Sequence, residues 1–221
     1  MPGSLVRAVH AYRRLRRNER INATLAGKSV ALESRHIANL RVLTDRYRLL
    51  EEAPKHAVWA EVGVAEGGYS RFILDVCKPA KLHLIDLWSA QHERYAESLS
   101  RVRATLKEEI ESGIVEIHRG RSWEMLERLP DDYLDWAYVD AAHDYDSVRK
   151  DLTACSRKVK RDGVIAGHDY TRWAANRPNR VGVVEAVNEF CVTQNWEMIY
   201  LTNEPDRILS FAIRRMYQGN P

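Results

Sequence analysis

From residue 57 onward, short apolar runs alternate with longer amphipathic segments, and few folds accommodate that rhythm. The runs lie at 57–62, 81–86, 114–118, 134–140, 163–167, 196–201 and 208–213. Between them, helical spacing of apolar residues marks 69–77, 91–112, 122–129, 144–158 and 181–194. Runs rich in Val and Ile read as strands buried on both faces. Strands separated by helices build a mainly parallel sheet with helices on each side. Only residues 202–207 part the last two runs, too few for a crossover helix, so the final strand is expected to pair antiparallel. The expected fold is α/β and doubly wound, seven-stranded, with its last strand antiparallel.

Ahead of this pattern, residues 4–20 and about 29–52 are expected to be helical. In the second segment Ile37, Leu40, Leu43, Leu49 and Leu50 fall roughly on one face, and Pro54 ends the pattern. The chain therefore divides into an N-terminal helical extension, 1–54, and a domain, 55–221. Residues 1–28 hold seven basic residues against Glu19, a local charge of +6 in a chain of net charge +3. Such an arm suits nucleic acid, a membrane surface or a transit peptide. The blander reading, a helix whose Leu5, Val6, Val9, Tyr12 and Leu15 pack on the domain or on a second subunit, is preferred, because no apolar stretch or small-residue cleavage site follows. No apolar run approaches the roughly 18 residues of a membrane span. Three dispersed cysteines, Cys77, Cys155 and Cys191, fit neither a disulfide framework nor a zinc ribbon, and point to a cytoplasmic location.

In doubly wound sheets, ligands bind beyond the carboxyl ends of the strands. The first run ends Glu61-Val62-Gly63-Val64-Ala65-Glu66-Gly67-Gly68-Tyr69-Ser70. Glycines at a strand-to-helix turn permit positive φ and close approach of a ligand, and the helix start offers free N–H groups. The spacing is E-x-G-x-x-x-G, not the G-x-G-x-x-G of dinucleotide sites, so an ordinary turn remains the alternative. Asp86 closes the second run, 25 residues after Glu61, a placement suited to a ribose hydroxyl. Trp88 either faces an adenine or packs in the core.

Two later runs end in acids and imidazoles: Val139-Asp140-Ala141-Ala142-His143-Asp144-Tyr145 and Gly167-His168-Asp169-Tyr170. As neighbouring strand ends they would gather Asp140, His143, His168 and Asp169 in one cleft. Two carboxylates with imidazoles can bind a divalent cation and leave positions for substrate. Singly, each has a structural alternative, and Asp144 is expected to cap the following helix.

Residues 57–213 resemble class I S-adenosylmethionine-dependent methyltransferases, whose fold is Rossmann-like. The branch most similar is that of metal-dependent small-molecule O-methyltransferases, which includes macrolide and aminocoumarin sugar methyltransferases and cephalosporin-hydroxylase-like proteins. The resemblance is carried by E-V-G-V-A-E-G-G-Y-S, H-L-I-D-L-W, V-D-A-A-H-D-Y, D-G-V-I-A-G-H-D-Y and V-G-V-V-E-A-V-N-E-F. It implies that Glu61, Gly63 and Gly67, with Ala65 and Ser70 on the same turn, cradle the amino-acid part of the cofactor. Asp86 would hold the ribose, with Trp88 and Asp140 also lining the cofactor site. Asp140 and Asp169 would ligate magnesium or manganese, with His168 as third ligand and His143 as general base. That branch carries a carboxylate at the position of His168, and imidazole favours softer ions than magnesium. Where the family often has an acid for the adenine amino group, this chain has Arg121, leaving Ser122, Trp123 or main chain for adenine.

The resulting expectation is methyl transfer to a hydroxyl of a small molecule such as a sugar, polyol or catechol. The segment 171–180, with Trp173 and three arginines, is either a lid over the acceptor or an exposed basic loop. The resemblance also implies a homo-oligomer joined through N-terminal helices. A nicotinamide-dependent oxidoreductase would share the fold but usually shows G-x-G-x-x-G. A nucleic-acid methyltransferase would use the basic arm, yet the domain has no aromatic-basic stripe. A non-catalytic partner of a biosynthetic complex is the third alternative.

Overall fold

The computed structural model describes residues 3–89, 97–173, 180–204 and 208–216. Helices α1 (Gly3–Leu25) and α2 (Arg46–Glu52) flank a one-turn 3-10 helix, Ser34–Ile37, and a short strand β1 (Arg41–Leu43). Strands β2 (Val58–Val62), β3 (Lys81–Asp86), β4 (Val115–Arg119), β5 (Leu134–Val139), β6 (Val159–Gly167), β7 (Trp196–Thr202) and β8 (Phe211–Arg215) follow the seven apolar runs. Between them lie α3 (Gly68–Phe72), continued by a π-helical turn, Ile73–Cys77, then α4 (Ser98–Thr105), α5 (Lys107–Glu111), α6 (Ser122–Leu126), α7 (Tyr145–Lys158) and α8 (Val183–Gln194).

All eight strands join one sheet, ordered β1-β7-β8-β6-β5-β2-β3-β4. Pairing is parallel except where β8 inserts antiparallel between β6 and β7, the geometry demanded by the short β7–β8 connection. Two expectations are corrected. The sheet has eight strands, not seven, and residues 29–52 are not one helix. Asp45 starts α2 there by accepting from the N–H groups of Tyr47 and Arg48 at 2.9 and 3.0 Å. Just upstream, β1 pairs with β7 in the register Arg41↔Tyr200.

Both faces of the sheet are covered. Leu152, Val187 and Phe190 of α7 and α8 fill one side. Leu49, Leu50 and Ile73, from α2 and the π-helical turn, fill the other. Among the described residues no helix is long and apolar enough to cross a membrane. The outer rows of α1 are bare: Val6, Val9, Tyr12 and Leu15 are exposed. The expected packing of this row on the chain's own domain is therefore not seen. At the opposite edge, burial pushes His83 of β3 down to about 4, and it lowers His118 of β4 as well.

Candidate active site

The chain runs outward from β2 to β3 and β4 and returns on the other side of β2 as β5, so the sheet's switch point lies between β2 and β5. The turn after β2 and the segment after β5 meet there. Asp140 N donates to Val62 O at 2.7 Å. A Cβ on Gly63, whose φ is +93°, would stand 2.2 Å from the Asp140 carbonyl oxygen, so only glycine fits. Gly67, at φ +81°, starts α3. Ala65 and Trp88, and Asp169 after β6, also hold positive φ without being glycine (50°, 38° and 56°), which places local backbone strain after β2, β3 and β6.

Asp86 organises the turn from the next strand. Its Oδ2 accepts from the N–H groups of Val64 and Ala65, both at 2.8 Å, and its Oδ1 accepts from Trp88 N at 3.0 Å. Trp88 is packed in the core, and its indole N–H donates to Ala65 O at 3.0 Å. It props the turn and gives the cleft a wall rather than an open stacking face. Beneath the turn Glu61 is 1% exposed and accepts from Ser70 Oγ. Burial pushes the Glu61 carboxyl up to about 8, against the opposing effect of the Ser70 hydrogen bond, and the nearby Asp140 and Asp86 add to the rise.

A cleft of about 370 Å³ runs from Gly63 and Asp140 across Asp86 and Trp88 to Ser122 and Trp123. Lys150 Nζ, on α7, lies 4.6 Å from the ring centroid of Trp123 on α6, while the fully buried Asp151 carboxyl beside Ser122 is pushed up to about 6 by burial. Ser147, which also lines this cleft, donates its backbone N–H to Asp144, so Asp144 caps α7 as expected.

Around Asp140, which lines the cleft, His143, His168 and Asp169 converge. His143 Nε2 lies 3.6 Å from Asp140 Oδ1 and 3.3 Å from Asp169 Oδ2. His168 Nδ1 lies 3.8 Å from Asp140 Oδ2 and 3.4 Å from Asp169 Oδ2. Both imidazoles thus approach the same two carboxylates, but only His143 shares with them a set of ligand atoms all within 4.8 Å of one another; His168 stands outside that set. His143 is raised chiefly by its contact with Asp140, against burial. Burial would raise Asp169, yet the net shift is downward, because His168 and His143 stabilise its charge.

Arg46, from the first turn of α2, completes the cluster at 3.9 Å from Asp140 Oδ2, its guanidinium stacked on Tyr47 and Tyr69. Nothing in the sequence pattern signals it, because its partner is 94 positions away and helix-start arginines are usually solvated. On the far side of segment 140–147, a second pocket of about 390 Å³ opens between α1 and the site, lined by His143, Tyr145, Arg17 and Arg180. Arg180 is not part of an exposed loop. It is buried, it bonds Asn18 and Asn22 of α1, and it pairs with the buried Glu185. Residues 174–179 of the segment read as either a lid or a basic loop lie outside the described residues.

A glycine turn at the switch point, an acid on the next strand and a cleft joining them define an α/β enzyme that binds a nucleoside-bearing cofactor. A family model described as "Methyltransferase domain" matches residues 60–170, half of the chain, and the chain belongs to that family. It is an S-adenosylmethionine-dependent methyltransferase. Among solved structures, an S-adenosylmethionine-dependent methyltransferase from Aquifex aeolicus superposes with TM-score 0.56 at 15% identity, covering 77% of this chain and 89% of that one. An rRNA methylase from Streptococcus thermophilus gives 0.54 at 10%, covering 86% and 100%. A Streptococcus mutans protein assigned as a methyltransferase, in complex with S-adenosylhomocysteine, gives 0.53 at 10%, covering 77% and 96%. No curated protein matches the chain.

Proposed function

We propose that the protein methylates a hydroxyl oxygen of a small molecule, assisted by a divalent cation. The observation that carries this reading is the convergence of two carboxylates and two imidazoles, of which Asp140 lines the cofactor cleft and His143 the α1-side pocket. S-adenosylmethionine supplies an electrophilic methyl group. In our assignment Glu61 and the turn from Gly63 through Ala65 to Gly67, with Ser70 beneath, take its amino-acid part. Asp86 takes the ribose, Trp88 and Asp140 wall the site, and Ser122 and Trp123 meet the adenine. A cation held by Asp140, His168 and Asp169 supplies positive charge that lowers the pKa of an adjacent hydroxyl.

His143 is assigned as general base because it lines the α1-side pocket and is the more open imidazole, 41% exposed against 11% for His168. Its neighbouring carboxylates raise its basicity, and a positioned base contributes about 10²–10⁴-fold. Arg46 orients Asp140, and Arg17 marks the acceptor pocket as suited to an acidic or polyhydroxylated molecule. Segment 1–54 then serves as acceptor cap, and 55–221 as cofactor-binding domain. The exposed row Val6, Val9, Tyr12 and Leu15 is our candidate for a homo-oligomer contact, to be read by light scattering after Tyr12→Glu.

His143→Ala should retain S-adenosylhomocysteine affinity and lose turnover by at least a hundredfold. Full turnover in that variant removes the base assignment, and turnover unchanged by chelation removes the cation. RNA as acceptor is a second reading, favoured by the exposed Arg13, Arg16, Arg17 and Arg20 of α1. It requires RNA binding that weakens steeply with salt.

A further inference from the structure

We propose that His83, Glu116 and His118 form a second cation site, separate from the cluster at Asp140, suited to a zinc-class transition ion. The three residues sit on one face of the β3–β4 edge, because His83 pairs with Glu116 in the parallel register and Glu116 and His118 are two apart on β4. Each brings one ligand atom to within 4.8 Å of the others. His83 Nδ1 is 2.9 Å from His118 Nε2. Glu116 Oε1 is 3.6 Å from His118 Nε2, and Oε2 is 3.9 Å from His83 Nδ1. Ligands held tetrahedrally at 2.0–2.1 Å stand about 3.3–3.4 Å apart, so small side-chain adjustments bring all three onto one ion.

The surroundings set the ligand atoms. His83 Nε2 faces Tyr133 Oη at 3.3 Å, and a proton kept there leaves Nδ1 bare and turned toward His118. Two bare ring nitrogens at 2.9 Å repel unless a proton or a cation lies between them. Lys81 Nζ holds Glu116 Oε2 at 2.9 Å, which leaves Oε1 for the ion. Both histidine side chains are largely buried, while that of Glu116 is 49% exposed, so the remaining position opens to water. Two imidazoles and one carboxylate favour zinc over magnesium or calcium. β4 is the last strand of the sheet, and an ion here fastens it to β3.

The test is zinc titration by calorimetry in an Asp140→Asn/Asp169→Asn background, which removes the other cluster. One zinc per chain should bind, and zinc should raise the melting temperature. Adding Glu116→Gln, a substitution at a half-exposed side chain, should weaken binding at least tenfold with an unchanged far-UV circular dichroism spectrum, and His118→Gln should do the same. Absence of zinc binding in the background variant overturns the proposal and leaves the ring contact as a shared-proton hydrogen bond. So does undiminished binding after Glu116→Gln and His118→Gln.

Discussion

Glu61→Gln separates what the fold tolerates from what the site requires. The Glu61 carboxyl is buried, and its pKa stands at about 8 against an ordinary 4.5. Because the folded value is raised, the folded protein binds more protons than the unfolded chain between these limits. Stability is therefore lost as pH rises through 4.5 to 8 and stays low above 8. At 1.36 kcal/mol per pH unit the full loss is ~5 kcal/mol, and relaxation around the charge brings the expected difference to about 2–3 kcal/mol. Glutamine keeps the shape and still accepts from Ser70, but it carries no titrating group.

Glu61→Gln should thus melt higher than wild type at pH 8.5, by about 5–10 °C for a chain of this size. At pH 5 the gap should shrink to ~2 °C, since only ~0.7 kcal/mol of the loss has accrued there. Cofactor binding should move the other way. An ammonium placed against Glu61 favours its ionised form, so S-adenosylhomocysteine binding near pH 7 should release a proton from wild type and none from the variant. Calorimetry in buffers of different ionisation enthalpy reads this, together with weaker binding by the variant. Equal melting behaviour of the two proteins at pH 8.5 would refute the desolvation reasoning. Unchanged affinity and no proton release from wild type would remove Glu61 from cofactor recognition.

Gly63→Ala should destabilise the protein by about 2–4 kcal/mol in urea melts and abolish cofactor binding, because its methyl group collides with the Asp140 backbone at a positive φ. Arg180→Met leaves the buried Glu185 with Arg172 as its ion-pair partner among the described residues, and should cost about 3 kcal/mol; Arg180→Met/Glu185→Leu should recover part of it. His83, depressed to about 4 from 6.5, makes the fold lose stability as pH falls through that window, by up to ~3 kcal/mol. His83→Asn, melted with chelator present, should show a flatter acid limb than wild type.

Strands buried on both faces announce themselves in the sequence as apolar runs, which is why β2 to β8 and the residues at their carboxyl ends were legible. The short β7–β8 connection likewise dictated the antiparallel pairing. β1 was not legible, for a physical reason. It has three residues, its ladder partner lies 159 positions away, and Ile37, Leu40, Leu43, Leu49 and Leu50 happen to mimic one helical face. Arg46 was invisible on similar grounds, since its meaning depends on Asp140 across the switch point. The β3–β4 cluster did leave a signal: Glu116 and His118 alternate onto the face of His83. Strand alternation applied to polar residues would have found it.

The site's construction links these levels. Asp86 satisfies three backbone N–H groups of the turns it joins, and Asp140 is placed by a backbone hydrogen bond to β2 and by a glycine that leaves it room. The carboxylates are therefore fixed by the sheet itself, whereas His143 sits on the segment between two clefts and is the more exposed imidazole. A group that must hold a ligand benefits from rigid support, while a group that must exchange a proton with an incoming molecule needs an open face. The division between His168 and His143 follows that requirement. It predicts that His168→Ala lowers cation affinity, whereas His143→Ala lowers turnover at saturating cation. If both substitutions weakened cation binding equally, the two rings would share one role and the base would have to be sought elsewhere in the α1-side pocket.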